Sequence, residues 1–343
     1  MIKTAVVILN WNGEAMLRQF LPSVIASSCE EGTVVYVADN ASTDGSCAVV
    51  EKEFPSVHLI RLDKNYGFAE GYNRALQQVE AEYVVLLNSD VEVTEGWLRD
   101  MVAYMDTHPD TAACQPKILS YRHRNMFEYA GASGGFMDRY GYPFCRGRVF
   151  DVVEEDRGQY DEVIPVFWAT GAALMIRQEV YQKVGGLDGR FFAHMEEIDL
   201  CWRLRSQGFQ LVCIPSSKVY HVGGATLKKE NPRKIFLNFR NNLLMLYKNL
   251  PEEELAPVMR VRTFLDYCAA LVWLLKGDWA NVKAVCEARK EFHRLRPQFA
   301  ADRRQNLANT VLNTIPERWG FSLIWQAKIK GRNTYSALFK IFH

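Results

Sequence analysis

Four short apolar segments early in the chain each end in a polar turn that leads into a helical pattern. They cover residues 4–9, 33–38, 57–62 and 83–87. Continuous runs of β-branched and other apolar residues are typical of strands buried on both faces of a parallel sheet. Strands that alternate with helical patterns at this spacing predict βαβ units and an α/β fold.

Polar side chains follow these four predicted strands at the points where they end. Asn10, Asp39, Asn65 and Asp90 lie there. Right-handed crossovers bring such strand ends to one edge of the sheet, where ligands bind in α/β folds. Each residue taken alone also fits a turn or a helix cap, because Asn and Asp favour both. The four together predict a ligand site at this edge.

A second candidate site lies between residues 168 and 221. Three acids, Glu196, Glu197 and Asp199, fall where a Gly- and Phe-rich loop gives way to a helical pattern. Acids at a helix start are also explained by capping and by the helix dipole. The aromatic side chains of Trp168 and Phe192 could stack on a sugar, or they could belong to the core.

Asp90 and His221 are candidates for a cation or diphosphate site. A hard divalent cation needs only one or two protein carboxylates when substrate phosphates supply its other ligands. No second histidine is close to His221 in the sequence, which argues against zinc. The chain has no G-x-G-x-x-G after its first strand and no P-loop motif, which argues against a nicotinamide enzyme and a P-loop NTPase.

The composition argues against a nucleic-acid partner and favours an intracellular protein. The 343 residues include 41 basic and 40 acidic ones, so the net charge produces no strong electrostatic field. Eight cysteines without a C-x-x-C pair predict reduced thiols. We find neither a signal peptide nor a run of eighteen apolar residues, and therefore expect a cytoplasmic location.

Two regions are less regular than the predicted sheet. Residues 112–165 predict one strand followed by a long loop that includes residues 141–148. Loops of this length are usually functional lids or disordered inserts. After residue 245 several helices follow, and the segment 264–275, with basic residues around it, fits two structures. It could be an interfacial helix on the inner face of the plasma membrane or a buried helix of a small helical domain.

Several segments of the chain occur in the order found in a known family. They resemble family 2 glycosyltransferases of the GT-A fold, and within these the bacterial rhamnosyltransferase-type enzymes that build surface polysaccharides. The resemblance covers roughly residues 1 to 245. It is carried by V-V-I-L-N-W-N-G, V-Y-V-A-D-N-A-S-T-D-G-S, N-Y-G-F-A-E-G-Y-N, V-V-L-L-N-S-D-V, W-A-T-G-A-A-L-M-I-R, V-G-G-L-D-G-R-F-F, E-E-I-D-L-C-W-R and V-Y-H-V-G-G.

The resemblance implies a fold and an activity. The fold would be a mixed, mainly parallel sheet flanked by helices over residues 1–245, with a C-terminal helical region over 246–343. The activity would be inverting transfer from a nucleoside-diphosphate sugar, first dTDP-rhamnose and then UDP-hexoses, to a hydroxyl of a lipid-linked glycan. The implied cofactor is Mg²⁺ or Mn²⁺.

The resemblance also implies roles for individual residues. Glu197 matches the catalytic base, with Glu196 as the alternative, and Asp90 and His221 match the metal or diphosphate ligands. Asp39 matches the acid that contacts the nucleotide base or ribose. The remaining residues implied for the nucleotide-sugar site are Asn10, Asn40, Asp44, Asn65, Gly67, Asn73, Asn88, Thr170 and Gly171.

Three alternatives are weighed against this function. A catalytically inactive, nucleotide-sugar-binding scaffold of a polysaccharide assembly complex would have the same fold, but the retained acids and His221 argue against it. A processive synthase would need a Q-x-x-R-W motif and transmembrane helices, and a nucleotidyltransferase usually carries an N-terminal loop rich in glycine and basic residues. The sequence has none of these features.

Overall fold

The computed structural model describes residues 2–223 and 231–342. The strands are β1 (Ile2–Asn10), β2 (Thr33–Asp39), β3 (His58–Arg61), β4 (Ala81–Asn88), β5 (Val91–Val93), β6 (Thr111–Ser120), β7 (Gly135–Asp138), β8 (Pro143–Cys145), β9 (Arg148–Val149), β10 (Val152–Val153), β11 (Ile164–Pro165), β12 (Ala173–Arg177), β13 (Gln210–His221) and β14 (Arg318–Trp319). The helices are α1 (Glu14–Ser27), α2 (Ser46–Glu53), α3 (Gly67–Leu76), α4 (Trp97–Thr107), α5 (Gln178–Lys183), α6 (Glu196–Ser206), α7 (Pro232–Asn249), α8 (Glu252–Leu275), α9 (Trp279–Leu295), α10 (Ala300–Ala308) and α11 (Tyr335–Phe342).

The central sheet has nine strands in the order β11-β13-β6-β12-β4-β1-β2-β3, with β5 paired to β13. Strands β1, β2, β3, β4, β6 and β13 run in one direction, and β5, β11 and β12 run in the other. The predicted mixed, mainly parallel sheet is therefore confirmed. The four strands expected from the sequence are present, each within two residues of its predicted bounds.

Two hydrophobic cores cover the two faces of this sheet. One contains Leu17, Leu21 and Val24 of α1 together with residues of α4 such as Trp97 and Met101. The other core contains residues of α3, α6 and α7. The central strands are buried on both faces, which is why the strands read as continuous apolar runs rather than as an alternating pattern.

The register of the strands brings the predicted polar residues to one edge. Asn10 pairs with Asp39 between β1 and β2, and Leu9 pairs with Asn88 between β1 and β4. Further along the same sheet, β13 runs antiparallel to β5. His221 therefore pairs with Val91 and lies beside Asp90.

The region after β6 differs from the sequence expectation. Instead of a long loop, it forms most of a second sheet with the order β10-β9-β8-β7-β14. Aromatic rings hold this sheet together, since Phe136 contacts Phe144, Trp319 and Tyr335 at centroid distances of 5.2–5.7 Å. Residues 141–148 form the antiparallel pair β8–β9, and Phe144 packs into this aromatic core, so the expectation of a disordered insert was wrong. The role of a lid stays a prediction.

The C-terminal region contributes to both the helical layer and the second sheet. Its strand β14 pairs in parallel with β7, and the backbone N–H of Leu323 donates to the buried carboxylate of Asp138. The division of the chain at residue 245 stays a prediction. Among the described residues, no helix is both long enough and apolar enough to cross a membrane.

Candidate active site

A buried corner of hydrogen bonds lies at the ends of β1 and β2. The Asn10 amide nitrogen donates to an Asp39 carboxylate oxygen at 3.1 Å and to the Ser42 hydroxyl at 3.2 Å. The backbone N–H of Ser42 donates to the second Asp39 oxygen at 2.9 Å. The Asn10 amide oxygen is buried and has no hydrogen-bond partner in the described part of the chain. This corner thus offers an acceptor beside a carboxylate.

A second loop is shaped by Asn40 and Asn65. The Asn40 side chain accepts from the backbone N–H of Tyr66 at 2.9 Å and donates to the Gly67 carbonyl at 2.9 Å. Gly67 has a φ of +75°, and a Cβ on it would lie 2.5 Å from the ring of Phe192. Only glycine therefore fits here. Phe192 is 37% exposed and remains available as a sugar platform.

Two of the residues predicted for the nucleotide-sugar site, Asp44 and Asn73, have their side chains engaged elsewhere in the protein. The carboxylate of Asp44 accepts from the backbone N–H groups of Glu14 and Ser46, near the starts of α1 and α2. The Asn73 amide donates to the Leu187 carbonyl and accepts from the Tyr181 hydroxyl. These contacts account for Asp44 and Asn73 without a ligand.

Trp168 and Thr170 are core residues. The Trp168 indole is 3% exposed, packs against Gly135, and donates to the Phe136 carbonyl at 2.9 Å. The interpretation of Trp168 as a sugar platform is therefore wrong, because its ring faces are covered. Thr170 is 2% exposed, and its hydroxyl accepts from the Ala172 N–H at 3.2 Å.

His221 lies between two carboxylates. Its Nε2 is 3.1 Å from Asp90 Oδ1, and its Nδ1 is 3.3 Å from Glu128 Oε2. All three side chains are buried. Burial lowers the pKa of His221, but the close contacts with the Asp90 and Glu128 carboxylates and their charges outweigh it and raise the pKa to about 10. Burial opposes the ionised form of Asp90, yet the contact with His221 lowers its pKa overall. Without a cation the two carboxylates favour the protonated imidazole, and a cation that binds Nε2 would displace its proton.

Glu128 could not be recognised from the sequence. It lies in the irregular region after β6, far along the chain from both Asp90 and His221, and belongs to no recognisable motif. Its position depends on the turn after β6, where the backbone N–H of Ala130 donates to its carboxylate. A Cβ on Gly223 would lie 2.5 Å from Glu128 Oε1, so the chain after His221 must approach it closely.

Asp90 and His221 fit a divalent cation as a pair. They combine a carboxylate oxygen with an imidazole nitrogen, a donor set that Mn²⁺ accepts. Glu128 contacts the other ring nitrogen, as carboxylates commonly do for metal-binding histidines. Within residues 2–223 and 231–342, no three His, Cys, Asp or Glu side chains are grouped to hold a metal alone. Phosphate oxygens of a substrate would complete the coordination.

The candidate acids lie directly after a strained loop. Phe192, His194 and Met195 all have positive φ, at 67°, 71° and 72°. Non-glycine residues in such conformations cluster at functional sites and persist only where their surroundings hold them. Here the amide nitrogen of buried Asn241 on α7 lies 2.8–3.0 Å from the carbonyl oxygens of Phe191, Ala193 and His194. The sequence analysis missed Asn241, although a polar pair inside the apolar face of α7 was a possible signal.

Glu196 and Glu197 begin α6, and each has one buried carboxylate oxygen without a hydrogen-bond partner among the described residues. Burial raises the pKa of Glu197 to about 7. Burial and then the charge of Glu197 raise the pKa of Glu196 well above its ordinary value. Glu196 is 3% exposed, whereas Glu197 is half-buried. Glu197 is therefore the acid that combines access with a raised pKa.

Asp199 differs from its two neighbours. Its carboxylate accepts from Arg203, Lys248 and Asn249 at 2.8–3.0 Å and is completely buried. These bonds fix the first turn of α6 against α7. Asp199 is thus a structural anchor.

Short contacts connect Glu197 to the His221 cluster. A Cβ on Gly171 would lie 3.8 Å from Glu197 Cβ, which places the two backbones side by side. Gly171 precedes Ala172, whose carbonyl accepts from the Asn88 N–H at 3.0 Å. The Asn88 amide nitrogen in turn lies 3.4 Å from His221 Nε2. Gly171 therefore lies between the start of α6 and the contact of Asn88 with His221.

A family model described as glycosyl transferase family 2 matches residues 5–185, more than half of the chain. This chain belongs to glycosyl transferase family 2. The matched segment contains the Asn10, Asp39 and Asp90 strand ends, and the acids of α6 follow it. The chain is thus a glycosyltransferase of the GT-A fold.

Curated relatives of this glycosyltransferase include two rhamnosyltransferases. The N-acetylglucosaminyl-diphospho-decaprenol L-rhamnosyltransferase of Mycobacterium tuberculosis is 28% identical over 234 residues, which cover 63% of this chain and 75% of that protein. The dTDP-rhamnosyl transferase RfbF of Shigella flexneri is 24% identical over 260 residues, covering 71% and 79%. Both names describe rhamnosyl transfer, and the rhamnosyltransferase-like resemblance is confirmed.

Solved structures share the fold. The mannosyltransferase PcManGT from Pyrobaculum calidifontis in complex with GDP-Man and Mn²⁺ has a TM-score of 0.52 at 14% identity, over 91% of this chain and 86% of that chain. S. aureus TarS 1–349 in complex with UDP-GlcNAc has a TM-score of 0.55 at 17% identity, over 90% and 89%. At these identities the likeness establishes the GT-A fold alone.

The contact of Glu128 with His221 generates a testable prediction. Replacing Glu128 by Ala removes the carboxylate at Nδ1 and frees the imidazole to rotate, so the affinity for Mn²⁺ with a nucleoside diphosphate should fall about 10- to 100-fold. Glu128→Gln, which retains an acceptor oxygen, should lose less. Isothermal titration calorimetry with dTDP and Mn²⁺ measures the change.

The control is Glu155→Ala in the same region, where the carboxylate pairs with Arg157 at the surface. Thermal melts of all variants check folding. Affinity in well-folded Glu128→Ala equal to that of Glu155→Ala would show that Glu128 does not hold His221 for ligand binding.

Proposed function

We propose that this enzyme transfers a sugar from a nucleoside-diphosphate sugar to a hydroxyl of a growing glycan by direct displacement, with inversion at the anomeric carbon. The observation that carries the proposal is Glu197, a half-buried carboxylate with a raised pKa and a partnerless oxygen at the start of α6. A helix-capping acid would use its oxygens on backbone N–H groups. Backbone N–H groups at the start of α6 do lower the pKa of Glu197, but its buried Oε2 has no partner among the described residues, and we assign it to the proton of an acceptor hydroxyl.

The sheet edge supplies the groups that a nucleotide needs. The Asp39 carboxylate is a suitable acceptor for a ribose hydroxyl or a base N–H, and the partnerless Asn10 oxygen beside it is another. Asn40, Asn65 and Gly67 shape the adjoining loop. We therefore assign the nucleoside to the ends of β1 and β2.

The diphosphate is assigned to the other end of the site. Asp90 and His221 would hold the cation, with Glu128 orienting His221. When bound, Mg²⁺ or Mn²⁺ would neutralise negative charge on the departing diphosphate. Asn88 lies between this cluster and Gly171, and therefore at the point where the sugar would be positioned.

The proposed transfer is a single displacement that needs no enzyme nucleophile. The acceptor oxygen forms a bond to the anomeric carbon as the bond from that carbon to the diphosphate oxygen breaks. Glu197 takes the proton of the acceptor hydroxyl, and the nucleoside diphosphate leaves with the bonding electron pair. A base with a pKa near neutral combines a usable ionised fraction with sufficient basicity.

For the donor we propose dTDP-rhamnose first and UDP-hexoses second. The names of the two relatives support this order, since one is a dTDP-rhamnosyl transferase and the other an L-rhamnosyltransferase. The acceptor proposed is a lipid-linked saccharide, in line with the diphospho-decaprenol acceptor in the name of the mycobacterial relative. A cytoplasmic location stays a prediction.

Replacing Glu197 by Gln should abolish transfer while the nucleotide still binds. The amide cannot take the acceptor proton, and a general base contributes about 10²- to 10⁴-fold to rate. Release of nucleoside diphosphate and product measures transfer, and calorimetry with dTDP and with UDP measures binding.

Glu196→Gln is the matched control, since it makes the same change one residue earlier in a buried position. It should keep most of the transfer rate. Full turnover by Glu197→Gln contradicts the assignment, and if Glu196→Gln alone is inactive, the base is Glu196. If both variants and the native enzyme bind nucleotide without any transfer, a binding scaffold is the better account.

The raised pKa of Glu197 predicts a pH profile. The base has to be ionised, so kcat/KM for the acceptor should fall about tenfold per pH unit below pH 7 and level off above it. Rates between pH 5.5 and 8.5 at saturating donor and metal provide the measurement. Nucleotide affinity at each pH is the control, because it separates the titration of Glu197 from that of groups that contact the diphosphate. A rate that stays constant down to pH 5.5 contradicts the assignment.

A further inference from the structure

Helix α8 packs against the protein through charged residues. Arg262 is 2% exposed and Asp266 is completely buried, and the two form an ion pair at 3.2 Å. Arg289 on α9 adds a second ion pair to Asp266 at 2.6 Å and donates to the Thr263 hydroxyl. Arg262 also donates to the Tyr140 carbonyl at 2.9 Å. The inward side of this half of the helix is therefore polar.

The opposite side of α8 is apolar and exposed. Phe264, Leu271 and Leu275 lie on one stripe, because their spacing follows the helical repeat. They are 69%, 53% and 79% exposed. Tyr267, at 50%, borders the stripe, and Trp279, at 70%, continues the surface at the start of α9. We call these five residues the α8 face. A surface helix normally has the reverse arrangement, with its apolar side inward.

An exposed apolar face of this kind indicates a docking surface. The sequence left two structures open for residues 264–275, an interfacial helix and a helix buried in a small domain. In the structure these apolar side chains do not pack inward, which favours the first. The helix is too short in its apolar part to span a bilayer, which requires about 20 apolar residues.

The charges around the α8 face distinguish between possible occupants. Arg260 and Lys276 are exposed and border it, whereas Lys283 pairs with Glu287 at 3.7 Å. Both acids in this stretch are engaged, Asp266 in ion pairs and Asp278 in capping α9. The two exposed charges that border the α8 face without an acidic partner in this stretch, Arg260 and Lys276, are therefore both basic. A second copy docking through the same face would bring like charges together, whereas anionic lipid headgroups would pair with them.

We propose that the α8 face docks onto an anionic lipid bilayer, with α8 lying in the interface. Apolar side chains would enter the acyl boundary, the basic residues would contact lipid phosphates, and Tyr267 and Trp279 would lie at headgroup level, where aromatic residues are enriched. The inference rests on α8 and the start of α9 alone. It is independent of the proposed transfer reaction.

Vesicle flotation of the full-length protein tests this proposal. The native chain should float with vesicles of phosphatidylcholine and phosphatidylglycerol, and much less with phosphatidylcholine alone or at high salt. Leu271→Glu combined with Leu275→Glu should reduce the bound fraction about tenfold, because charges do not enter the acyl boundary. Both sites are exposed, so thermal melts should match the native protein.

Val311→Glu is the matched control. It places the same charge at an apolar residue that is 76% exposed outside the α8 face, and should leave flotation unchanged. Lys276→Glu should weaken binding to the anionic vesicles only. Absence of native binding to anionic vesicles would overturn the proposal, as would equal binding of the Leu271/Leu275 variant. Sedimentation velocity that finds a native dimer and a monomeric variant would also overturn it, because a second copy would then cover the face.

Discussion

The hydrogen bonds from Asn241 to the loop before α6 are the constraint on which the candidate active site depends. That loop has Phe192, His194 and Met195 at positive φ, each of which costs on the order of 1–3 kcal/mol. The loop is held from two sides. Asn241 contacts three of its carbonyl oxygens, and the first N–H groups of α3 donate to the carbonyl of Phe192. Helix α7 thereby fixes the position of the first turn of α6, which carries Glu197.

The same loop connects the two halves of the site. Because α3 starts at Gly67 directly under Phe192, the loop that follows β3 and the loop that precedes α6 cannot move separately. Across the sheet edge, the pairing of β13 with β5 sets His221 beside Asp90. Nucleoside, diphosphate and acceptor regions thus rest on rigid strands and helix starts, which favours precise positioning of reacting atoms.

Much of this arrangement could be predicted from the sequence because it depends on local patterns. Apolar runs ending in Asn10, Asp39 and Asp90 indicated both the strands and the edge at which they end. The acids of α6 were recognisable, since a helix start and its polar residues are adjacent in sequence. Among them, the separate roles of Glu197 and Asp199 required the partners of each carboxylate, and Asp199 finds its partners on α7.

The features missed all depend on contacts between distant segments. Glu128 reaches His221 through tertiary packing, and Asn241 reaches the loop before α6 across 47 to 50 positions. The second sheet escaped prediction because its strands are two to four residues long and one comes from the C-terminal region. Trp168 was misinterpreted for the same reason, because the residue that packs against its ring, Gly135, belongs to that second sheet.

In the proposed mechanism Glu197 acts as a base, and no protein group attacks the sugar. The anomeric configuration of the first product, determined by proton NMR before any equilibration, tests it most directly. Single displacement predicts a product whose configuration is opposite to that of the donor. A product that retains the donor configuration would contradict the account, because retention requires either a second displacement or attack from the same face.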